Sequence, residues 1–132
     1  MRWTEEQYME WLERQGVKTA RKKPKKRSKY NNKKTWVDGI CFDSKKEADY
    51  YSMLKVLKEA GEIKGFCRQP EFILVEGNVE NRAITYKADF IVFNNDGRVE
   101  IIDVKGYESE QWKLTYKQFR LKYPELELAI VK

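Results

Sequence analysis

The stretch ADFIVFNNDGRVEIIDVKG, residues 88–106, decides how this chain is read. Two apolar runs flank a turn, each rich enough in Ile, Val and Phe for a buried strand. Both carry an acid near one end, and the second adds a lysine two residues later. If Asn95, Asp96 and Gly97 form a three-residue loop with Gly97 left-handed, Asn94 pairs with Arg98 and the two residue numbers of each pair sum to 192. Asp89 then lies opposite Asp103. Opposed residues on paired strands hold their Cβ atoms about 4.5–5.5 Å apart, and Lys105 points to the same face as Asp103. That face is expected to read Lys87, Asp89, Ile91, Phe93 on one strand and Val99, Ile101, Asp103, Lys105 on the other. The opposite face, Tyr86, Ala88, Phe90 and Val92 with Glu100, Ile102 and Val104, is also mostly apolar, which predicts a strand pair covered on both sides.

Two carboxylates facing each other in a half-dry pocket repel, and one protonates unless a cation compensates both. A divalent metal answers this, and an all-oxygen donor set in a chain with no histidine favours Mg²⁺ or Mn²⁺ over zinc. The alternative is that Asp89 and Asp103 sit at strand ends, paired with Lys87 and Lys105; this accounts for each residue singly but not for their convergence. A third acid, Glu47, stands in line with Tyr51, Leu54 and Lys58 on a predicted helix, at the start of the stripe facing the sheet. Ser44-Lys45-Lys46-Glu47 is equally a capping box, and spacing alone does not separate the two roles.

The absence of histidine also removes Ser-His-Asp and Cys-His catalysis and most zinc chemistry, leaving carboxylate, lysine and tyrosine. Cys41 and Cys67 match no CxxC spacing and are expected to be free buried thiols in a cytoplasmic protein. With 132 residues, no long apolar run and no leader-like segment, the expectation is one small domain plus a tail, without a membrane role. The net charge of +6 is uneven. Residues 18–34 hold ten Lys or Arg and no acid; 27 less ten leaves 17 basic against 21 acidic residues elsewhere, a net of −4.

Three regions follow. Residues 1–17 are expected to hold a helix, with Thr4-Glu5-Glu6-Gln7 as a capping box, Tyr8, Trp11 and Leu12 as its apolar stripe and Gly16 as its stop. Residues 18–34 form a basic, flexible arm with little to bury. Residues 35–132 carry the domain: a TWV-DG-ICF hairpin, a helix from Ser44 to about Ala60, a strand in FCRQPEFILV, the two strands of the opening stretch, a helix after Ser109 and a last strand, LELAIV. Trp112, Tyr116, Phe119 and Tyr123 share one face of that helix. The order gives an α/β fold with one small mixed sheet flanked by helices.

A helix acid, an Asp on one central strand and (D/E)-x-K on the next is the pattern of the PD-(D/E)XK nucleases, which this chain resembles through Glu47, Asp89 and Asp103-Val104-Lys105. The resemblance covers roughly residues 40–131, with Ala88 where the motif name has proline, and implies a restriction-endonuclease-like αβββαβ core. Within that superfamily, YKADFIVF and VEIIDVKG look most like phage-borne nuclease proteins and, more distantly, Holliday-junction resolvases. The resemblance implies that Asp89, Asp103 and the Val104 carbonyl hold one or two Mg²⁺ or Mn²⁺ ions, with Glu47 direct or through water. It implies that Lys105 orients or helps deprotonate the attacking water, and that a phosphodiester is cut to leave a 5′-phosphate.

A nuclease needs phosphate contacts, and Lys22, Lys23, Lys25, Lys26, Arg27, Lys33 and Lys34 of the arm supply sequence-independent ones; a targeting run or solubilising tail is the alternative. Lys113 and Lys117, with Arg120, add a second basic stripe on the last helix, which is otherwise a solvated face. No pattern of exposed stacking aromatics is expected. The leading functional expectation is a Mg²⁺-dependent endonuclease cutting branched or junction DNA as a homodimer, with no small-molecule cofactor. A duplex endonuclease of restriction type and a non-catalytic DNA-binding protein with a vestigial nuclease fold are the alternatives.

Overall fold

The computed structural model describes residues 3–16 and 34–132. The chain divides into two compact units, Met1–Lys55 and Val56–Lys132. Of the basic arm only Lys34 falls among the described residues, where it is exposed; Lys22, Lys23, Lys25, Lys26, Arg27 and Lys33 lie outside them.

In the first unit, helix α1 (Glu5–Arg14) begins with the expected capping box: the Gln7 N–H donates to the Thr4 hydroxyl at 3.2 Å and the Thr4 N–H to the Gln7 side chain at 3.0 Å. Tyr8 stacks on Trp11, and the Tyr50 hydroxyl donates to the Trp3 carbonyl at 3.4 Å, tying the start of α1 to the next helix. Strands β1 (Thr35–Val37) and β2 (Ile40–Phe42) form the hairpin. Its turn residues Asp38 and Gly39 have φ of 52° and 75°, the left-handed pair a two-residue turn requires. Helix α2 (Lys45–Glu59) starts at Ser44, whose hydroxyl accepts the Glu47 N–H at 3.2 Å. Tyr51 and Lys55 of α2 both bond the Asp38 carboxylate, and the Lys55 bond, ahead of its charge, holds that carboxyl below its ordinary range. Phe42, whose ring centre lies 5.1 Å from that of Tyr51, is buried, as are Ala48 and Leu54 of α2.

The second unit holds a four-stranded sheet in the order β3-β6-β7-β8, from β3 (Gly65–Arg68), β6 (Phe90–Phe93), β7 (Val99–Val104) and β8 (Glu127–Val131). β7 and β8 are parallel and the other pairs antiparallel, so the sheet is mixed. A parallel pair needs a crossover, here helix α3 (Glu110–Lys122), capped by Ser109 through the Trp112 N–H at 3.1 Å. Trp112 and Phe119 of α3 pack with Ile101, Leu128, Leu74 and Tyr86, with Tyr116 and Tyr123 at the margin. The aromatic face expected of this helix is the one it buries. The architecture is mixed α/β with three helices and a small mixed sheet, and no helix among the described residues is long and apolar enough to cross a membrane.

Three expectations are corrected. FCRQPEFILV is two strands, β3 and β4 (Glu71–Val75), and the strand of residues 86–93 is likewise divided between β5 (Ile84–Lys87) and β6. Both breaks fall at one level of a single ribbon: the Gln69 N–H donates to the Asp89 carbonyl at 2.9 Å and the Ala88 N–H to the Pro70 carbonyl at 3.1 Å. Gly65 pairs with Phe93 and Glu71 with Lys87, so the register is unchanged across the kink. Pro70 has no N–H to give a ladder, and Gln69 has φ of 50°, which turns the ribbon. β4 and β5 therefore leave the main sheet as a two-stranded arm. Tyr86 and Ala88, expected on the Phe90 face, pack instead with Ile101 and Ile91. The cysteines are free as expected, but Cys67 is exposed, because it lies on the edge strand β3. Among the described residues the well-exposed rings are few and apart, Trp36 at 69% and Tyr107 at 83%.

Candidate active site

The turn between β6 and β7 sets the site's register. Gly97 has φ of 88°, its N–H donates to the Asn94 carbonyl at 3.1 Å, and the Asn94 N–H to the Arg98 carbonyl at 2.9 Å. Phe93 pairs with Val99 and Phe90 with Ile102, the register expected from the sequence. Asp89 stands one residue before the start of β6, and its N–H donates at 3.1 Å to the carbonyl of Ile102, the residue already paired with Phe90. The ladder therefore does not run on evenly to the Asp89–Asp103 pair expected from the sequence, and Asp89 lies beside the end of β7 instead.

The kink gives Asp89 a task at the backbone. Because the ribbon turns away from β7 at this level, the Val104 N–H has no strand opposite it, and the Asp89 Oδ2 accepts it at 2.7 Å. On the other side of β7 the ladder continues: Asp103 pairs with Ile130, and the Lys105 N–H donates to the Val131 carbonyl at 2.9 Å.

Asp103 is buried at 3% exposure, on a strand between two neighbours. One carboxylate oxygen, Oδ2, accepts a hydrogen bond from the Tyr86 hydroxyl; the other, Oδ1, faces the Lys105 ammonium at 3.5 Å. Burial first, then the Asp103 charge and the hydrogen bond to it, push the Tyr86 hydroxyl far above the ordinary tyrosine range, so Tyr86 acts as a neutral donor. Lys105 rests over the Trp112 ring, 4.4 Å from its centroid, on the face of the first turn of α3. Trp112 in turn packs against Tyr86 at 5.4 Å between ring centres. The two acids, the lysine and two rings form one connected group within the second unit.

The donors suit a hard cation. Asp89 and Asp103 offer carboxylate oxygens and Val104 a backbone carbonyl, the kind of partial set that Mg²⁺ completes with water. Among the described residues no three His, Cys, Asp or Glu side chains stand close enough to enclose an ion by themselves. Glu47 belongs to the first unit, where it is buried at 8% exposure and its backbone N–H donates to the Ser44 hydroxyl, the serine's half of the expected capping box. Lys113 and Lys117 are exposed on α3, and Lys113 reaches Glu110 at 3.3 Å. Arg120 lies against the Tyr116 ring at 5.9 Å.

Sequence reasoning brings Asp89, Asp103 and Lys105 together and misses Tyr86 and Trp112 as partners of the charged groups. Helical spacing marks Trp112 only as core. Tyr86 is misplaced by alternation, and the available signal was Pro70, which lies across the ribbon from Ala88. No curated protein and no solved structure matches the chain. A family model described as Protein of unknown function (DUF1064) matches residues 27–132, which include every element from β1 to β8 and all the charged residues of this site. The chain belongs to the DUF1064 family.

Proposed function

We propose that this protein is a Mg²⁺- or Mn²⁺-dependent endodeoxyribonuclease with a PD-(D/E)XK-type, restriction-endonuclease-like core, selective for branched DNA such as a Holliday junction and acting as a homodimer. The observation that carries the reading is a buried acid near the end of β7 with a lysine two residues on, and a second acid, Asp89, whose carboxylate accepts the Val104 N–H between them. A hydrophobic sheet centre accepts such groups at a cost, and function is the usual reason to keep them there.

Asp89 and Asp103, with the Val104 carbonyl, would hold the ion, and Glu47 enters through the sequence resemblance. A bound divalent ion supplies Lewis acidity toward the scissile phosphate and lowers the pKa of a bound water. Lys105 would orient the attacking water and offset charge developing on the phosphoryl oxygens. Water oxygen would bond to phosphorus as it gives up a proton to solvent, and the P–O3′ bond would break as the 3′ oxygen takes a proton from solvent, giving a 5′-phosphate and a 3′-hydroxyl. Two-fold symmetry suits paired cuts across a junction, and the arm of residues 18–34, with Lys113 and Lys117, would contribute phosphate contacts.

The test is cleavage of a labelled immobile four-way junction and of the matching linear duplex, with Mg²⁺ or with EDTA, by wild type and Asp103→Ala. Paired Mg²⁺-dependent nicks in the junction, reduced at least a thousandfold in the variant, are expected. Cleavage of both DNAs alike would indicate the duplex endonuclease. Salt-sensitive binding without any cut would indicate a non-catalytic DNA-binding protein whose Asp103 serves only its contacts with Tyr86 and Lys105.

A further inference from the structure

The Asp103 side chain is 4% exposed and that of Lys105 29%. A carboxylate so buried needs compensation of its charge. Tyr86 provides a neutral donor at Oδ2, so the compensating charge near Asp103 comes from Lys105 at Oδ1. The ammonium is also supported from below by Trp112. The choice of tryptophan is informative: its ring N–H is buried without a hydrogen-bond partner among the described residues, a cost that phenylalanine or leucine would avoid at this core position. What tryptophan adds is the strongest π-face for a cation.

We propose that Lys105 is a displaceable internal counter-ion, parked on Asp103 and Trp112, which a divalent cation must drive off before it can occupy the acid pair. The inference rests on the metal assignment made above and adds its regulation. A divalent ion and an ammonium cannot both approach Oδ1, because their like charges repel at that range. The displaced Lys105, with its partly exposed stem, is then free to face the phosphate. Ion entry and arming of the lysine become one event, with Trp112 as the positioning residue that sets its threshold.

Mn²⁺ is titrated into the full-length, DNA-free protein by calorimetry, and Mg²⁺ while tryptophan emission is followed. Wild type, Lys105→Met and Trp112→Phe are compared. The chain has four tryptophans, so the signal from Trp112 is the part missing in Trp112→Phe. Lys105→Met is expected to bind Mn²⁺ about tenfold more tightly than wild type. The Mg²⁺-induced change in Trp112 emission should be present in wild type and lost in Lys105→Met, although that variant binds the ion. Trp112→Phe keeps a weaker platform and should bind Mn²⁺ a few-fold more tightly, with the fold checked by circular dichroism. Equal or weaker Mn²⁺ binding by Lys105→Met, no binding by either protein, or the same Trp112 response with and without the lysine would overturn the proposal. DNA cleavage is read separately, so a wild type that cuts junctions while Lys105→Met shows no gain in affinity sinks this inference and leaves the nuclease reading standing.

Discussion

Asp103 is held by three different kinds of partner, and each makes its own demand on the residues around it. Its backbone is fixed by β8 on one side, one oxygen by the Tyr86 hydroxyl and the other by the Lys105 ammonium. Removing the hydroxyl in Tyr86→Phe leaves a buried carboxylate short of a donor, which costs about 1–3 kcal/mol. The sign of its pH dependence follows from linkage: the Tyr86 pKa is raised on folding, so its contribution is complete below the unfolded tyrosine pKa of about 10 and is lost as pH rises above it. Urea unfolding at pH 7 and at about pH 10.5–11, just above that unfolded value, should therefore show the gap between wild type and Tyr86→Phe narrowing at the higher pH; a gap that stays constant would mean the hydroxyl is not differentially protonated. Asp103 and Lys105 were legible as a pair because alternation along one strand is local geometry. Tyr86 was not, because its direction depends on a kink formed by residues on a different strand.

At the scale of elements, the β6–β7 turn sets which residues meet. Gly97 at φ 88° and the Asn94–Arg98 closure fix the pairing of β6 with β7, which sets Asp89, just before β6, beside the end of β7. Gly97→Val places a β-branched residue in a region it rarely adopts and should cost about 1–3 kcal/mol by thermal or urea denaturation. If the loop relaxes by a change of length instead, the site residues lose their alignment and Mn²⁺ affinity falls with stability. A variant as stable as wild type would mean that another turn conformation is equally good. This loop was readable from NNDG, since glycine is the residue that takes that φ without strain. The break at Gln69-Pro70 was readable only as a proline near a strand end. That it bends both strands of the ribbon at once depends on Ala88 and Asp89 being their partners.

Over the whole molecule, charge and chemistry occupy different stretches of chain. The arm of residues 18–34 carries ten basic residues, while the remainder has a net charge of −4. Replacing Lys22, Lys23, Lys25, Lys26 and Arg27 by glutamine should weaken DNA binding at low salt, and every phosphate that is no longer neutralised should flatten the slope of log affinity against log salt by about 0.9 for duplex DNA. Fluorescence anisotropy over a salt series reads this directly. An unchanged slope would remove the arm from the DNA-binding reading, and a change confined to the junction would give it a part in shape selection. By itself the sequence determined the element types, the hairpin and loop turns, the register of the two central strands and the placement of Asp103 beside Lys105, because each depends on residues within a few positions of one another. Only the tertiary structure decided that Tyr86 reaches Asp103, that Asp89 caps the Val104 N–H and that Lys105 rests on Trp112. Those arrangements depend on a bend shared by two paired strands and on the docking of a crossover helix, and no periodicity along the chain encodes either.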